Sequence, residues 1–321
     1  MSGPPLPRFV PNPDRPVYGE TPRPEWLKVR LVDNEDTRGI LDLVRRKHLN
    51  TVCQEAQCPN IFECWGRERT ATFMLMGDVC TRRCGFCAVQ KGGPLPVDYD
   101  EPRRVAESAA KLGLKYVVVT SVTRDDLPDG GAHQFVRTIE EIRRLLPDAG
   151  IEVLTPDFQG DVRAIEEVLR AKPSVFNHNI ETIERLTPRL RSKASYLRSL
   201  AVLGYAHRFA PDIPTKSGIM VGIGETPDEV RATMAGLRAC GCRILTIGQY
   251  LAPSKEHYPV KEYVSDGQFA GYQKWAEEMG FDGVASGPLV RSSYNAELVA
   301  GRRRVGSGPE LLVDTVRVIR P

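Results

Sequence analysis

The sequence predicts an α/β protein whose core is a partial parallel (β/α)6 TIM-like barrel, with an N-terminal extension and a C-terminal return segment. Six apolar strand-like segments succeed one another after residue 70, and a helix-like segment follows each of the last five; this alternation is typical of a parallel sheet covered by helices. The segment 114–121 is rich in valine, as buried parallel strands are. An eight-unit barrel takes about 250 residues; residues 71–285 are fewer, so a partial barrel is expected.

Three regions divide the chain. Residues 1–70 form the extension, in which a proline-rich arm (1–26) precedes a helix at 36–48 and an irregular segment at 51–66. The barrel follows at 71–285. The C-terminal segment covers 286–321.

The barrel elements are predicted from apolar periodicity. Strands are expected at 71–76, 114–121, 151–155, 174–177, 215–221 and 243–248. Helices are expected at 131–146, 162–171, 194–205, from Thr226 onward and at 269–279. Thr226, Pro227 and Glu229 form a capping-box signature, which fixes the start of that helix. The aromatic stripe of the last helix, including Phe269 and Tyr272, is expected to pack in the core.

The composition is that of an ordinary globular protein. Of 321 residues, 41% are hydrophobic and 26% are charged. The apolar runs are far shorter than the ~20 residues of a membrane span, and no secretory signal is recognisable at the N-terminus. The net charge of +3 is too small to indicate nucleic-acid binding. A cytoplasmic location, with no membrane and no nucleic acid as partners, is therefore expected.

Six of the eight cysteines fall between residues 53 and 87. Thiols clustered in a cytosolic chain are metal ligands or redox catalysts more often than disulfides. Cys240 and Cys242 lie far downstream, with one residue between them. They border a strand and are expected to pack as small apolar side chains.

Cys80, Cys84 and Cys87 form a C-x3-C-x2-C array, the second triad, directly after the first barrel strand. Three thiolates can hold three irons of a [4Fe–4S] cube and leave the fourth iron open to another ligand. The alternative is a zinc site that uses Cys84 and Cys87 with two outside partners. No second C-x2-C pair and no H-x3–5-H pair accompanies them, so the cluster is favoured.

The spacing of the second triad, with Phe86 before its last cysteine, resembles the radical S-adenosylmethionine superfamily. That resemblance implies that S-adenosyl-L-methionine binds the open iron and that its reduction releases a 5′-deoxyadenosyl radical. The segment 218–225 resembles the superfamily element that backs the adenine, with Met220 in place of isoleucine, so Gly222 and Glu225 are candidate contacts; a glycine-bearing strand end before a capped helix is the alternative. Asn177, Asn179 and Glu181 follow the fourth strand, where related enzymes place polar groups against the ribose and methionine. For these last residues an ordinary turn is the alternative.

Cys53, Cys58 and Cys64 form a C-x4-C-x5-C array, the first triad, before the barrel. Three further thiolates indicate a second, auxiliary [4Fe–4S] cluster that again lacks a fourth cysteine. Both triads together resemble the lipoyl synthase family closely, as do the motifs at 59–65, 124–131, 249–254 and 287–294. The resemblance covers roughly residues 35–300. It implies that the R-S-S-Y motif supplies the fourth ligand, which is Ser293, with Ser292 as the less favoured choice.

The resemblance implies a sulfurtransferase. The chain would insert two sulfur atoms at C6 and C8 of a protein-bound octanoyl-lysine, with the auxiliary cluster as the sulfur source. The implied partners are octanoylated lipoyl carrier domains, namely 2-oxoacid dehydrogenase E2 subunits or the glycine-cleavage H protein, and a ferredoxin or flavodoxin reductant. The alternatives are another sulfur-inserting radical enzyme such as a methylthiotransferase, and a non-enzymatic iron–sulfur carrier or zinc-bound interaction module.

Overall fold

A single large sheet forms the centre of the molecule. In a computed structural model of the chain, residues 35–55 and 71–293 are described, together with Pro24, Leu27 and Ala296. The large sheet has eight strands in the order β1-β2-β5-β6-β7-β8-β9-β10. These strands are β1 (Asn50–Thr51), β2 (Thr72–Leu75), β5 (Tyr116–Ser121), β6 (Gly150–Leu154), β7 (Val175–Asn177), β8 (Thr215–Val221), β9 (Ile244–Gln249) and β10 (Gly283–Gly287).

Seven of these strands run parallel, and only the short β1 is antiparallel to its neighbour β2. The strands β1 and β10 lie at the two edges of the sheet and do not pair with each other, so the described sheet is an open barrel. A separate two-stranded sheet joins β3 (Val79–Cys80) to β4 (Gln90–Lys91). The partial parallel barrel that the sequence predicts is confirmed.

Helices connect the parallel strands and cover the sheet. They are α1 (Glu35–Arg46), α2 (Val52–Glu55), α3 (Glu101–Lys111), α4 (Ala132–Leu145), α5 (Val162–Arg170), α6 (Thr187–Leu190), α7 (Tyr196–Phe209), α8 (Pro227–Ala239) and α9 (Asp266–Glu278). None of the helices described is long and apolar enough to cross a membrane.

The core follows the predicted apolar stripes. On α4, Phe135, Ile139 and Ile142 are fully buried against the sheet. On α9, Phe269 and Tyr272 are buried and make an edge-to-face contact with ring centroids 6.3 Å apart, which confirms that the aromatic stripe packs in the core.

Three features differ from the sequence prediction. The six strand–helix units are followed by a seventh parallel strand, β10, whose sequence GVASG has little β propensity; it runs past residue 285, where the barrel was expected to end. The helix α3 was not foreseen. The segment expected to be irregular from residue 51 instead begins with β1 and the single turn α2, because Thr51 pairs with Phe73 of β2.

Candidate active site

The second triad lies on the loop that follows β2, at the carboxyl end of the barrel strands. Cys80 belongs to β3, and its carbonyl accepts a hydrogen bond from the Gly92 amide (3.1 Å). Gly85 fastens the middle of the loop: its amide donates to the Leu190 carbonyl, and its carbonyl accepts from the Tyr258 amide, each at 2.8 Å. The loop is therefore held by distant parts of the chain.

The three thiols influence one another electrostatically. Burial raises the pKa of Cys84, and the nearby Arg191 charge opposes that rise. Burial, together with charge on Cys84 and Cys80, raises the pKa of Cys87 to about 11. Thiolates in such a setting need positive charge nearby, which a bound metal supplies as it displaces the protons. The donor set fits an iron–sulfur cluster with one iron left for another ligand.

Arg82, inside the cysteine loop, is buried in a network of two carboxylates. Its guanidinium donates two bonds to Asp125 (both 2.8 Å) and one to Asp157 (2.6 Å), and Arg198 donates to the other oxygen of Asp157 (3.1 Å). Asp125 follows β5 and Asp157 follows β6, so Arg82 ties the loop to two strand ends. Its backbone amide also donates to the Cys80 sulfur (3.4 Å).

Burial works against ionisation of Asp157, yet the hydrogen bond and charge of Arg82 outweigh it and hold the pKa at about 2. The carboxylate is therefore charged at neutral pH. The two arginines and two aspartates of the network balance one another, so the loop is anchored without adding net charge beside the thiols.

The residues after β7 are polar and almost completely buried. His178 has its pKa lowered to about 4, chiefly by burial, so the ring is neutral. Its Nδ1 faces the Thr155 carbonyl (2.9 Å) and must donate, which leaves Nε2 to accept from the Ser199 hydroxyl (2.9 Å). Ser199 in turn accepts from the Arg191 guanidinium (2.8 Å). This chain of bonds holds the arginine whose charge acts on Cys84.

Asn177 and Glu181 have different surroundings. The Asn177 amide donates to Glu152 (2.9 Å), and Glu152 pairs with the buried Lys216 (2.9 Å) in the barrel interior. Burial raises the pKa of Glu181, while Arg191 and a hydrogen bond from Asn179 act in the opposite direction. The charge of Glu181 also acts on Cys84 and Cys87, which places this carboxyl beside the second triad.

The turn after β8 is closed by its own side chain. The Glu225 carboxylate accepts bonds from the Gly222 and Ile223 amides (2.5 and 2.9 Å). Gly222 has φ of +88°, and a Cβ there would overlap the Gln249 amide and the Glu262 carbonyl. Glycine is thus required at this position, and Glu225 shapes the turn.

The described start of the C-terminal segment, residues 288–292, lies across the strand ends. A Cβ on Gly248 of β9 would overlap the Val290 carbonyl, so the backbone at 290 rests directly on the sheet. The Asn179 amide donates to the Ser292 hydroxyl (3.0 Å). The sequence predicts that this segment returns to the mouth of the barrel, and residues 288–292 do so.

The part of the chain that the structure describes contains no three His, Cys, Asp or Glu side chains grouped as ligands of a single metal ion, the second triad included. A zinc ion would need its thiolates gathered around one centre with Zn–S of about 2.3 Å. In a cube, by contrast, each thiolate binds its own iron.

Comparison with known proteins agrees with this geometry. The family model described as the radical SAM superfamily matches residues 74–236. The lipoyl synthase of Caldicellulosiruptor saccharolyticus is 54% identical over 278 residues, which are 87% of this chain and 97% of that protein. The lipoyl synthase of Caldanaerobacter subterraneus is 56% identical over 276 residues, which are 86% of this chain and 96% of that protein. The chain belongs to the lipoyl synthase family.

Solved structures agree on the fold. Methylornithine synthase (PylB) superposes with a TM-score of 0.53 at 12% identity, covering 78% of this chain and 71% of that one. HydG, a maturase of the [FeFe]-hydrogenase, gives a TM-score of 0.54 at 15% identity, covering 84% of this chain and 60% of that one. At these identities the likeness concerns the partial barrel alone.

In this lipoyl synthase family member, the structure brings some of the predicted site residues together and leaves others outside the described residues. The structure brings together the second triad, Asn179, Glu181 and residues 288–292 at one end of the barrel, with Gly222 and Glu225 at the end of β8. Cys53 lies buried in α2, whereas Cys58, Cys64 and Tyr294 lie outside the described residues. The assignment of the first triad and Ser293 to one cluster stays a prediction. Cys240 and Cys242 are structural, as predicted: Cys242 is fully buried and its thiol donates to backbone carbonyls.

Sequence reasoning missed Arg82, Asp157, Arg191 and Ser199. The Arg82–Asp125 pair had a signal in the sequence. Arg82 lies between two cysteines of the second triad, and Asp125 lies in the acidic motif at 124–131 that follows the next strand. Nothing in the sequence around 191 or 199 marks those residues, because their role depends on contacts with His178 and with the cysteine loop.

Proposed function

We propose that this chain inserts two sulfur atoms at C6 and C8 of a protein-bound octanoyl-lysine and so forms the lipoyl group. The observation that carries the proposal is more than 50% identity to lipoyl synthases over nearly their whole length. The position of the second triad at the carboxyl end of the first parallel strand supports it, since barrel enzymes carry their catalytic groups at that end.

The target carbons require radical chemistry. C6 and C8 are unactivated alkyl positions with no acidic proton, so a general acid or base cannot break their C–H bonds. When bound, the [4Fe–4S] cluster of the second triad and S-adenosyl-L-methionine together supply the 5′-deoxyadenosyl radical that removes the hydrogen atoms.

The chain's own residues prepare the site for that chemistry. Cys80, Cys84 and Cys87 hold three irons, and Arg82 fixes their loop against Asp125 and Asp157. The C-terminal segment at the strand ends excludes water from the reacting carbons.

Five residues are proposed to contact S-adenosylmethionine or to shape its binding site. Asn179 and Glu181 are the strongest candidates, because both lie at the strand ends beside the cysteine loop. Asn177 would act through Glu152 below the site. Gly222 and Glu225 would contribute the shape of their turn, since the Glu225 carboxylate is engaged by backbone amides.

The sulfur source is proposed to be a second [4Fe–4S] cluster held by Cys53, Cys58, Cys64 and Ser293. Its sulfide is a substrate of the reaction, consumed as the product forms. An alkoxide is a less usual ligand for such a cluster than a thiolate, and one replaceable ligand suits a cluster that must be dismantled.

The proposed setting is cytoplasmic. The octanoyl chain would be carried by lipoyl domains of 2-oxoacid dehydrogenase E2 subunits or by the glycine-cleavage H protein. A ferredoxin or flavodoxin would supply electrons one at a time.

Anaerobic incubation with an octanoyl-lysine peptide, a reductant and S-adenosylmethionine tests the function. Mass spectrometry should detect a peptide that has gained two sulfur atoms and lost two hydrogens. A methylthiolated nucleic acid in a parallel incubation, with the peptide unchanged, would favour the methylthiotransferase alternative. Absence of 5′-deoxyadenosine from the fully reconstituted protein would support a non-enzymatic carrier.

Variants of the two triads separate their roles. Replacing Cys80, Cys84 and Cys87 with alanine should leave about half the iron and abolish 5′-deoxyadenosine formation. Replacing Cys53, Cys58 and Cys64 should preserve S-adenosylmethionine cleavage but remove the sulfur-containing product. A lipoyl product at the wild-type yield from the second variant would show that the sulfur comes from elsewhere.

A further inference from the structure

Asn179 connects two parts of the site that lie far apart in the sequence. Its amide donates to the Ser292 hydroxyl at 3.0 Å across 113 positions of the chain. Two positions further on, the charge of the Glu181 carboxyl acts on Cys84 and Cys87. The segment after β7 therefore connects the surroundings of the second triad to the R-S-S-Y motif.

Two glycines make room for this arrangement. A Cβ on Gly218 of β8 would lie 2.9 Å from the side-chain oxygen Oδ1 of Asn179. A Cβ on Gly248 of β9 would overlap the backbone carbonyl of Val290. The sheet surface is thus shaped so that Asn179 and the backbone before Ser292 both lie close against it. Arg291 reinforces the bend by donating to the carbonyl of Val290 (2.7 Å).

We propose that Ser292 is a positioning residue whose hydrogen bond with Asn179 anchors the C-terminal segment over the barrel mouth and so presents Ser293 to the auxiliary cluster. The inference rests on the proposed function. It assigns the two serines different tasks: Ser292 accepts the hydrogen bond from the Asn179 amide and holds the segment, and Ser293 is left to bind iron. The anchor links radical generation to sulfur delivery, because the segment stays at the strand ends where the radical forms.

Four reconstituted full-length variants test the anchor. Ser292→Ala removes the acceptor, Ser292→Thr keeps a hydroxyl, and Ser293→Ala removes the proposed ligand. Ser286→Ala is the matched control, because Ser286 donates to the Phe269 carbonyl (2.8 Å) within the same C-terminal region but away from Asn179. For each protein the iron content, the Mössbauer spectrum and the ratio of 5′-deoxyadenosine to sulfur-containing product are measured.

We expect Ser292→Ala to keep the iron and the Mössbauer spectrum of the wild type. Its ratio of 5′-deoxyadenosine to product should rise about fivefold, the factor that loss of one hydrogen bond represents. Ser292→Thr should restore the ratio, and Ser286→Ala should leave it unchanged. Ser293→Ala should alter the Mössbauer spectrum of the auxiliary cluster.

Two results would overturn the proposal. One is a Ser292→Ala protein whose auxiliary-cluster spectrum changes while that of Ser293→Ala does not, since Ser292 would then be the ligand. The other is a wild type that makes product while Ser292→Ala shows an unchanged ratio. A wild type without product would instead count against the proposed function.

Hydrogen exchange tests the anchor even in that case. The backbone amides of residues 289–293 should exchange faster in Ser292→Ala than in the wild type, and at the wild-type rate in Ser286→Ala. Equal exchange in wild type and Ser292→Ala would also overturn the anchor.

Discussion

Two loops at the same end of the barrel are stabilised in different ways. The loop after β2, which carries the second triad, depends on partners that are distant in sequence: Arg82 reaches Asp125 and Asp157, and Gly85 bonds to Leu190 and Tyr258. The turn after β8 is closed by its own side chain, since Glu225 accepts from Gly222 and Ile223, and distant groups donate only to its backbone carbonyls.

This difference matches what each loop has to do. A metal-binding loop must hold three thiols at fixed positions although its local sequence has no helical or strand preference, so the tertiary structure has to supply the constraint. The turn after β8 redirects the chain into α8, and its local hydrogen bonds are supplemented by the Lys261 amide and the Arg185 guanidinium, which donate to the Gly222 and Gly224 carbonyls (both 2.9 Å). Variants that each remove one stabilising contact should therefore change the unfolding free energy and the iron content to different extents in the two loops.

The largest expected effect is that of Arg82→Ala. It leaves Asp125 without its guanidinium partner and Asp157 with Arg198 alone, and breaking a buried ion pair costs about 3–5 kcal/mol. The free energy of unfolding of the metal-free chain should fall by about that amount, and the second triad should lose most of its iron.

Arg83→Ala is the matched control, because Arg83 occupies the same loop between the same two cysteines but is exposed. It should change the unfolding free energy and the iron content little. Equal losses in the two variants would show that the loop is sensitive to any change between Cys80 and Cys84, and the comparison of the two loops would fail.

Gly222→Ala should be the most disruptive change in the turn after β8. It forces alanine to adopt φ of +88° and to overlap the Gln249 amide and the Glu262 carbonyl. Backbone strain and overpacking together should cost about 2–4 kcal/mol, measured by urea unfolding. Gly224→Ala in the same turn has a positive φ but only a 3.5 Å contact with the Lys261 side chain, so it should cost less. The opposite order would mean that the close approach does not decide the effect.

Acid should weaken the loop after β2 through Asp157. The folded pKa of about 2 lies below the ordinary value of 3.8, so the carboxylate stabilises the fold fully above about pH 4 and loses this contribution as the pH falls toward 2. The contribution is on the order of 2 kcal/mol. Urea unfolding of the metal-free chain at several pH values should show that Asp157→Asn loses less stability across this interval than the wild type. Identical pH dependence would exclude Asp157 as a source.

Thr226→Ala should have the smallest effect. Thr226 and Glu229 form a reciprocal capping box at the start of α8, and losing the capping hydroxyl costs about 1 kcal/mol. Thermal unfolding should show a modest decrease, with unchanged iron content. Loss of iron from the second triad would mean that the two loops are coupled rather than separately stabilised.

The sequence predicted best those features that are encoded locally. The capping box at Thr226, the buried valines of β5 and the apolar stripe of α4 each follow from neighbouring residues, and the structure confirms them. The spacing of Cys80, Cys84 and Cys87 likewise identified the chemistry from one short stretch.

Features that depend on distant contacts were not predictable in the same way. The strand β10 is made of small residues and exists because it pairs with β9. The role of Arg82 requires Asp157, 75 positions away, and that of Ser199 requires His178 and Arg191 to meet. Glu225 closes its turn by accepting from two backbone amides, and the ligand contact that its motif predicts stays a prediction.

The central claim is that one chain both generates a radical and supplies the sulfur from its own cluster, and isotope labelling tests it most directly. The protein would be reconstituted with iron and heavy sulfide, separated from unbound sulfide, and allowed one turnover with an octanoyl-lysine peptide in the presence of light sulfide. We predict a lipoyl product in which both sulfur atoms are heavy. A product that contains only light sulfur would contradict the claim.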